Sequence, residues 1–286
     1  MSKETPEEEK KYVIDTESAA EMARLVNQSR ILTEGMGGFF PGQFDTSNIH
    51  DVLDIACGPG GWANDVAQAF PQMRVTGVDI SVLMIDYART QATFHKLNNV
   101  RFSVMNILQP LDFPDNSFDL VNARFLFAFM PPSAWPKLTQ ECYRILRPGG
   151  TFCLTESEWS ISNCLAAETL IGLFTKALKL AGQSFSPDGR QVGITPMLTR
   201  FLRDAGFEDV KKIPHAIDYS AGTPAFASTY QNHMVVFKLL QPFMVKMGVA
   251  TAEEIEVYYQ RSLTEMVQDD FCAIWFYLTA CGKKPG

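Results

Sequence analysis

Short apolar runs alternate with longer amphipathic stretches between residues 51 and 156. Runs of β-branched and aromatic residues indicate buried strands, and apolar residues that recur every three or four positions indicate helices. Strands that alternate with helices in this way form a parallel sheet covered by helices on both faces. The predicted strands are 51–56, 73–78, 100–105, 118–123 and 151–155, and the predicted helices between them are 61–70, 81–97 and 133–146.

The flanking parts of the chain are mainly helical. A charged tail of about eleven residues precedes a helix predicted over 16–33, for which Thr16 is the start signal. We expect one α/β domain with two helical insertions that cover the carboxyl edge of the sheet. Beyond residue 156, the apolar spacing predicts the helices 162–181, 196–205, 224–247 and 251–268 and the strands 210–216 and 271–280.

Composition narrows the choice of partners. Of the 286 residues, 46% are hydrophobic, which is enough for a large core. The net charge of −7 and the lack of a basic cluster predict no nucleic acid partner. The longest apolar stretch, 271–281, is about half of the ~20 residues that a membrane helix needs. We therefore expect no membrane association, a cytoplasmic location, and either a monomer or a homodimer.

The cysteines and histidines do not predict a metal site. The six cysteines are scattered without a C-x-x-C pair or a Cys/His cluster, so we expect reduced thiols in a cytosol. The four histidines also lack the spacing of metal ligands.

The strongest signal is the glycine-rich turn after the first predicted strand, Asp51-Val-Leu-Asp54-Ile-Ala56-Cys-Gly58-Pro-Gly60-Gly61. Glycines let the backbone approach a ligand closely, and the helix that follows offers unpaired N–H groups. Asp79 stands nineteen residues beyond Gly60, at the end of the second strand. A carboxylate there can accept hydrogen bonds from both hydroxyls of a ribose, so the two features predict a nucleoside-cofactor site.

The identity of that cofactor depends on Asp54. The turn also fits the dinucleotide fingerprint G-x-G-x-x-G/A, which makes an NAD(P)-dependent oxidoreductase the alternative. A carboxylate beside a pyrophosphate is repelled by about 1 to 4 kcal/mol at contact distance, whereas the ammonium of an amino-acid moiety attracts it. Asp54 therefore favours S-adenosylmethionine.

These motifs resemble the class I S-adenosylmethionine-dependent methyltransferases, and within them the small-molecule branch with quinone-biosynthesis and natural-product enzymes. The resemblance covers residues 51–156. It implies a Rossmann-like, mostly parallel seven-stranded sheet with an antiparallel last strand, plus helical lid insertions. The motifs are Asp54-Ile-Ala-Cys-Gly-Pro-Gly60, Val78-Asp79-Ile80-Ser81, Phe113-Pro-Asp-Asn-Ser-Phe118-Asp119 and Leu146-Arg-Pro-Gly-Gly150.

The resemblance also implies roles for individual residues. Gly58 and Gly60 pass under the methionine portion of the cofactor, and Asp79 holds the ribose. Asn106 replaces an Asp of the family and accepts a hydrogen bond from the adenine amino group through its side-chain oxygen. Arg124 is either a solvated strand-end residue or an anchor for the cofactor's carboxylate. The predicted cofactor-binding residues are Asp54, Ala56, Gly58, Gly60, Asp79, Ile80, Met84, Asn106, Ile107, Ala123 and Arg124.

On this basis the chain divides into six segments. These are an N-terminal tail with cap helices (1–44), the cofactor-binding core (45–156), a helical lid (157–193), a core helix and strand (194–217), a second lid (218–269), and the final strand with its tail (270–286).

The acceptor and catalytic residues are less well defined. An apolar stripe in the second lid and Trp159 are predicted to line a substrate pocket, with packing of a lid helix as the alternative. Glu156 and Glu158, which follow the fifth strand, and His233 beside the stripe are the candidates for a general base. The stripe consists of Phe226, Tyr230, Met234 and Phe237.

The predicted function is methyl transfer from S-adenosylmethionine to a small, partly apolar acceptor at an oxygen, nitrogen or carbon atom. This reaction is an in-line displacement that needs alignment and exclusion of water. The alternatives are an NAD(P)-dependent oxidoreductase and a non-catalytic cofactor-binding protein. A methyltransferase acting on RNA or protein is disfavoured by the negative net charge.

Overall fold

The computed structural model describes residues 13–14, 18–42 and 44–286. Its strands are β1 (Asp51–Ile55), β2 (Arg74–Asp79), β3 (Val100–Val104), β4 (Phe118–Arg124), β5 (Leu146–Ser157), β6 (Ile161–Ser162), β7 (Glu208–Asp218) and β8 (Ala273–Lys283). Its helices are α1 (Ala19–Gly35), α2 (Gly61–Ala69), α3 (Val82–Phe94), α4 (Trp135–Ile145), α5 (Leu165–Leu180), α6 (Leu198–Asp204), α7 (Phe226–Lys246) and α8 (Ala252–Glu265).

The described strands form one sheet in the order β3-β2-β1-β4-β5-β8, and both β7 and β6 pair with β8. Strands β1 to β5 are parallel, whereas β8 is antiparallel to its neighbours. The central strand β1 is buried over Val52–Ile55, as expected for a strand with helices on both faces. The predicted Rossmann-like sheet with an antiparallel last strand is confirmed, and β6 is a short addition to it.

The order of the strands creates a crevice. The chain leaves β1 toward β2 on one side and returns to β4 on the other side. The connections that leave β1 and β4 therefore diverge at the carboxyl edge, which is where open α/β sheets bind ligands.

Two main packing layers enclose the sheet. One contains α2 and α3 with Trp62 and Ile85, and the other joins α4 and α6 to the outer helices α5 and α7 through residues such as Phe174 and Leu240. Helix α1 packs against α7 and α2, and its Leu32 contacts Tyr277 of β8. Helix α1 and strand β8 thus meet beside the crevice.

Most element boundaries differ from the sequence prediction by a few residues, and two of these differences are informative. Thr16 lies outside the described residues, and the N-cap of α1 is Ser18, whose side chain accepts a hydrogen bond from the Glu21 N–H at 3.4 Å. Strand β5 begins five residues earlier than predicted, at Leu146, because the register shifts opposite Phe118–Leu120 and Gly149 takes a φ of 81°. This irregularity allows Gly149 and Gly150 to bond with Lys284 just after β8.

The expectation that all six cysteines are reduced thiols is wrong. Cys153 and Cys281 form a disulfide between β5 and β8, with their Cα atoms 4.2 Å apart. The two residues are directly opposed in the antiparallel register, and 128 residues separate them in sequence. Such a pairing depends on how distant strands align, which residue spacing cannot reveal. The free cysteines are Cys57, Cys142, Cys164 and Cys272.

Candidate functional site

A cavity of about 960 Å³ opens at the carboxyl edge of the sheet. One part of its lining comes from the connections after β1, β2 and β3, and we call this part the loop half. The other part comes from α1, the segment after β4 and the outer helices, and we call it the helical half. Residues of the loop half include Asp54, Gly58, Asp79, Met84 and Asn106; those of the helical half include Gln28, Phe127, Trp159, Phe174, Asn232, Val236, Leu240 and Trp275.

The glycine-rich turn presents bare backbone to the loop half. Ala56, Gly58 and Gly60 have φ values of 52°, 54° and 75°, in the left-handed region that favours glycine. A Cβ on Gly60 would lie 2.6 Å from the Cβ of Ala88 and 2.9 Å from the ring of Phe102, so only glycine fits there. Gly60 thus faces the core and, unlike Ala56 and Gly58, does not line the cavity. The turn then opens into α2, whose first residue also lines the cavity. Its unpaired N–H groups add a weak positive potential.

Asp79 holds the turn in place from the end of β2. Its two carboxylate oxygens accept hydrogen bonds from the backbone N–H groups of Gly58 and Ser81, both at 2.9 Å. A carboxylate has about four acceptor positions, so both oxygens keep capacity for a ligand. Asp79 lines the cavity and is a suitable partner for a diol.

Asp54 is a buried acid at the end of β1. It is 4% exposed, and the side-chain nitrogen of Asn122 on β4 donates a hydrogen bond to it at 2.7 Å. Burial raises the pKa of Asp54 to about 6, although the nearby Arg124 guanidinium and the Asn122 hydrogen bond act in the opposite direction. A cation in the cavity beside Asp54 would stabilise its charged form.

Arg124 connects the sheet to α1. Its guanidinium lies over the ring of Trp62 at 5.9 Å and donates hydrogen bonds to Ser29 at 3.0 Å and Thr33 at 3.4 Å. Arg124 lines the cavity, so it is not simply a solvated strand-end residue. Burial lowers its pKa, an effect that the charge of Asp54 opposes.

An apolar surface continues the loop half beyond Asp79. Ile80 is 57% exposed at the rim, while Met84 and Ile107 are buried, and all three line the cavity. Asn106 lines it as well, but its side-chain oxygen already accepts a hydrogen bond from the Leu108 N–H at 2.9 Å. The oxygen keeps a second lone pair, so both ends of the Asn106 carboxamide are able to contact a ligand. Ala123, by contrast, is fully buried in the core and does not line the cavity.

Glu156 and Glu158 do not line the cavity. Glu156 is buried and accepts hydrogen bonds from the backbone of Leu126 at 2.7 Å and Phe127 at 3.4 Å, and burial raises its pKa to about 8. Glu158 accepts hydrogen bonds from the backbone of Val192, Gly193 and Thr195. Glu156 thus holds the segment after β4, which lines the cavity, and Glu158 holds the loop at 192–195, which does not.

His233 also lies outside the cavity lining, between α7 and α8. Its Nε2 is 3.0 Å from the Ser262 hydroxyl, which itself donates a hydrogen bond to the Tyr259 carbonyl at 2.7 Å. The hydroxyl proton is thus used, so Nε2 carries the proton of a neutral imidazole. Burial lowers the pKa of His233 to about 4. These contacts give His233 a role in packing two helices together.

The predicted aromatic stripe of α7 faces its neighbouring helices. Phe226 stacks on Tyr230 at 5.8 Å, and the Tyr230 hydroxyl donates to the Leu263 carbonyl at 3.2 Å. Phe237 packs against Trp159, and none of Phe226, Tyr230, Met234 and Phe237 lines the cavity. Of the predicted pocket residues, Trp159 alone does so. The row of α7 that borders the cavity is Asn232, Val236 and Leu240.

Sequence reasoning missed the contribution of α1. Arg24, Leu25, Gln28, Ser29 and Leu32 line the cavity from this helix. The sequence did contain a signal for this contribution: the charged Arg24 and the amide Gln28, four positions apart, lie on one side of the helix beside its apolar positions. Trp275 of β8 and the segment 125–129 after β4 were missed too.

Within the described part of the chain, no group of three or more His, Cys, Asp or Glu side chains is arranged to hold a metal ion. No described helix is long and apolar enough to cross a membrane.

Comparison with known proteins agrees with this geometry. A family model described as a methyltransferase domain matches residues 52–150. A demethylmenaquinone methyltransferase from Listeria monocytogenes is 30% identical over 183 residues, which cover 60% of this chain and 75% of that protein. The enzyme of the same name from Geobacillus kaustophilus is 30% identical over 180 residues, which cover 59% of this chain and 76% of that protein.

Among solved structures, the fold is similar to that of Haemonchus contortus phosphoethanolamine N-methyltransferase 2 in complex with S-adenosyl-L-methionine. The TM-score is 0.51 at 20% identity, and the match covers 91% of this chain and 52% of the other chain. The present chain thus spans about half the length of that structure, and the likeness concerns the fold.

Proposed function

Because the chain belongs to the class I S-adenosylmethionine-dependent methyltransferases, we propose that it methylates a small, largely apolar acceptor bound in the helical half of the cavity. The cofactor is S-adenosylmethionine, which supplies an activated methyl group. The observation that carries the proposal is a single cavity of about 960 Å³ in which an acid-flanked glycine turn adjoins an aromatic surface.

The residues of the loop half fit the cofactor. At Gly58 the turn presents bare backbone to the cavity, because its positive φ favours glycine and leaves room for a ligand against the main chain. Asp79 has acceptor capacity for a ribose, and Asp54 provides a buried negative charge for an ammonium group. Met84 and Ile107 offer an apolar surface suited to a base. We assign these residues to cofactor binding on this basis.

The helical half fits an apolar acceptor. Its walls include Phe127, Trp159, Phe174, Val236 and Trp275. A cavity of this volume lies at the upper end of the range for small-molecule sites, about 300 to 1,000 Å³, so it has space for a second molecule beside the cofactor. The names of the curated relatives, which act on demethylmenaquinone, support a ring-shaped acceptor of low polarity.

The chain contributes to the reaction by alignment and by exclusion of water. Methyl displacement requires the attacking atom to lie in line with the bond that breaks, and fixed orientation accounts for a large part of such rate enhancements. Segment 125–129 forms one wall of the cavity, and buried Glu156 fixes it through two backbone hydrogen bonds. We infer that Glu156 positions this wall. The lids, which we propose over 157–193 and 218–269, keep water from the acceptor.

The test is a screen with S-adenosylmethionine that carries a labelled methyl group. Amine, phenol, quinol and carboxylic-acid acceptors are each incubated with the protein. We expect labelled product from at least one apolar ring acceptor, together with an equal amount of S-adenosylhomocysteine. Normal cofactor binding without product from any class would indicate a non-catalytic binding protein. Binding of NAD(H) in place of S-adenosylmethionine would overturn the proposal altogether.

A matched pair of variants checks the site. Asp79→Asn is expected to weaken cofactor binding by about tenfold or more, because a charged hydrogen-bond acceptor is lost. The control is Asp86→Asn on α3, whose side chain is 61% exposed and pairs with Arg89. Calorimetric titration of both variants should show the loss for Asp79 only, and equal affinities would mean that Asp79 does not contact the cofactor.

A further inference from the structure

A polar cluster interrupts the apolar wall where α1 meets α7. Arg24 is 6% exposed and Glu21 is fully buried, and the two form a bidentate ion pair with distances of 2.6 and 2.7 Å. The remaining terminal nitrogen of the guanidinium, Nη1, donates to the side-chain oxygens of Gln28 on α1 and, at 3.1 Å, of Asn232 on α7. Two carboxamides are therefore held side by side by one nitrogen atom.

The orientation of both carboxamides follows from this arrangement. An arginine side chain has five N–H donors and no acceptor, so the group that faces it must be the carboxamide oxygen. Each NH2 group then points away from Arg24, and no described residue accepts a hydrogen bond from either of them. Gln28 and Asn232 both line the cavity. The groups that they can offer to a ligand are N–H donors.

Gln28 lies beside, and not on, the side of α1 that faces the glycine-rich turn. On α1, Leu25 and Ser29 face that turn: a Cβ on Gly58 would lie 3.7 Å from Leu25, and one on Gly61 would lie 3.0 Å from the Ser29 oxygen. Arg24 and Gln28 lie on the adjacent side of the helix, toward Asn232 of α7. The pair of carboxamides thus belongs to the helical half of the cavity.

The charge balance restricts the kind of ligand. Glu21 neutralises Arg24, so the cluster offers little net attraction to a carboxylate or a phosphate. Carboxamide N–H groups are suited to an uncharged oxygen with a free lone pair. A buried ion pair contributes little net stability by itself, because desolvation offsets its attraction. A role in orienting the two carboxamides explains why it lies in an otherwise apolar wall.

We propose that Gln28 and Asn232, held in orientation by Arg24, bind an uncharged carbonyl oxygen of the methyl acceptor. This proposal rests on the proposed function, since it takes the helical half as the acceptor site. Gln28 and Asn232 are specificity-determining residues, and Arg24 is a positioning residue. The acceptor class is accordingly an apolar ring or chain that carries a ketone-type oxygen.

The test uses matched probes that differ in that oxygen. Indanone, indane and indane carboxylate are titrated into protein saturated with S-adenosylhomocysteine, and dissociation constants are measured by ligand-observed NMR. We expect the protein to bind indanone about tenfold more tightly than indane, as for one or two hydrogen bonds, and the carboxylate no better than indane. Equal affinities for indanone and indane, or tightest binding of the carboxylate, would overturn the proposal.

The variants Gln28→Leu and Asn232→Leu remove one donor group each at similar size. Each is expected to lose most of the preference for indanone while binding indane as before. The matched control is Asn27→Leu, because Asn27 lies on the same helix and donates to the Ser228 carbonyl of α7 at 2.9 Å but does not line the cavity. Its preference should be unchanged. Variants of Gln28 and Asn232 that keep the full preference would refute the assignment.

Two further readouts separate the possible failures. If Gln28→Leu and Asn232→Leu weaken S-adenosylhomocysteine binding without changing the indanone preference, the carboxamides serve the cofactor and the proposal is wrong. Arg24→Lys keeps a charge opposite Glu21 but cannot hold the same set of hydrogen bonds, so we expect an intermediate preference with normal urea unfolding. If Arg24→Lys keeps the full preference for indanone over indane, Arg24 is not a positioning residue. Absence of methyl transfer to any acceptor, with the indanone preference intact, would count against the proposed function alone.

Discussion

Asp54 is the residue on which we propose that cofactor selectivity depends. It is buried at the end of β1, and its pKa is raised to about 6 because burial outweighs the nearby Arg124 charge and the Asn122 hydrogen bond. In the family, the group expected beside it is an ammonium, which binds the carboxylate form. The same burial that strengthens the attraction therefore makes the site sensitive to mild acid.

The first prediction follows from that pKa. The charged fraction of a group with a pKa of about 6 falls roughly tenfold between pH 7 and pH 5, and the affinity for S-adenosylmethionine should fall by a similar factor. The α-amino group of the ligand stays protonated over this range. Calorimetric titration with S-adenosylmethionine at several pH values measures how the affinity depends on pH. Asp54→Asn should bind S-adenosylmethionine weakly, with an affinity that does not change with pH. If the affinity of this variant depends on pH as strongly as that of the wild type, another group is responsible for the pH dependence.

Glu156 is a buried acid of a different kind, since it faces backbone N–H groups and not the cavity. Burial raises its pKa to about 8, against 4.5 in an unfolded chain. Between these values the folded state binds more protons than the unfolded state, so the free energy of unfolding decreases as the pH rises. The contribution is fully present below pH 4.5 and is lost as the pH passes 8.

We therefore predict that Glu156→Gln changes the pH dependence of stability. The variant carries no ionisable group there, so its free energy of unfolding relative to the wild type should increase from pH 5 to about pH 8 and level off above that pH. Urea unfolding at these pH values measures the difference. Exposed Glu253→Gln on α8 is the control. A constant difference between Glu156→Gln and the wild type would show that Glu156 ionises normally in the folded state.

Helix α7 has two rows of side chains that face different surroundings. The aromatic row packs against α8 and the sheet edge, whereas Asn232, Val236 and Leu240 border the cavity. A larger side chain on the second row would fill the space that we propose for the acceptor, on the far side of the cavity from the glycine-rich turn. Helix α7 thus allows the two halves of the cavity to be tested separately.

Val236→Trp is expected to reduce methyl transfer by about a hundredfold while S-adenosylhomocysteine affinity changes less than about twofold. Displacement by one ångström is enough for a loss of that size. The matched control is Val245→Trp, at a position of the same helix that is 40% exposed. Single-turnover rates and calorimetric titration give the two quantities. An equal loss of both in Val236→Trp would place the residue in the cofactor site.

The predictability of the helices and strands differed along the chain. The glycine-rich turn and Asp79 were predictable because strand, turn and helix follow one another within about thirty residues, so local spacing determines their geometry. The cavity row of α7 was not, since that helix is apolar on more than one side and only packing decides which row faces the cavity. The stripe that begins at Phe226 was predicted to line the substrate pocket because its side chains are large and apolar. Large aromatic side chains are equally suited to packing between helices, as the Phe226–Tyr230 stack shows.

The sheet joins parts of the chain that are far apart. Strand β8 pairs with β5 and β7, and the disulfide Cys153–Cys281 closes a loop of 128 residues that contains most of the outer helices. The sequence could not predict this bond because it arises from the register of two distant strands. Its expected effect is on the unfolded chain, whose freedom it restricts.

Cys153→Ala together with Cys281→Ala should lower the free energy of unfolding by about 2 to 4 kcal/mol. Adding dithiothreitol should bring the wild type to the level of the double variant and leave that variant unaffected. Exposed Cys272→Ala is the control. Urea titration with and without reductant measures the free energy of unfolding. If the reductant leaves the wild type unchanged while the double variant is destabilised, the effect comes from packing of the two sulfurs and not from the bond.

The cavity receives walls from both α1 and Trp275 of β8, whereas its glycine-rich turn, Asp79 and Arg124 lie within residues 51–124. During translation, the ribosome releases that central stretch long before β8 leaves the exit tunnel. The residues that we propose for cofactor binding are thus synthesised well before the chain can supply the cavity wall at Trp275.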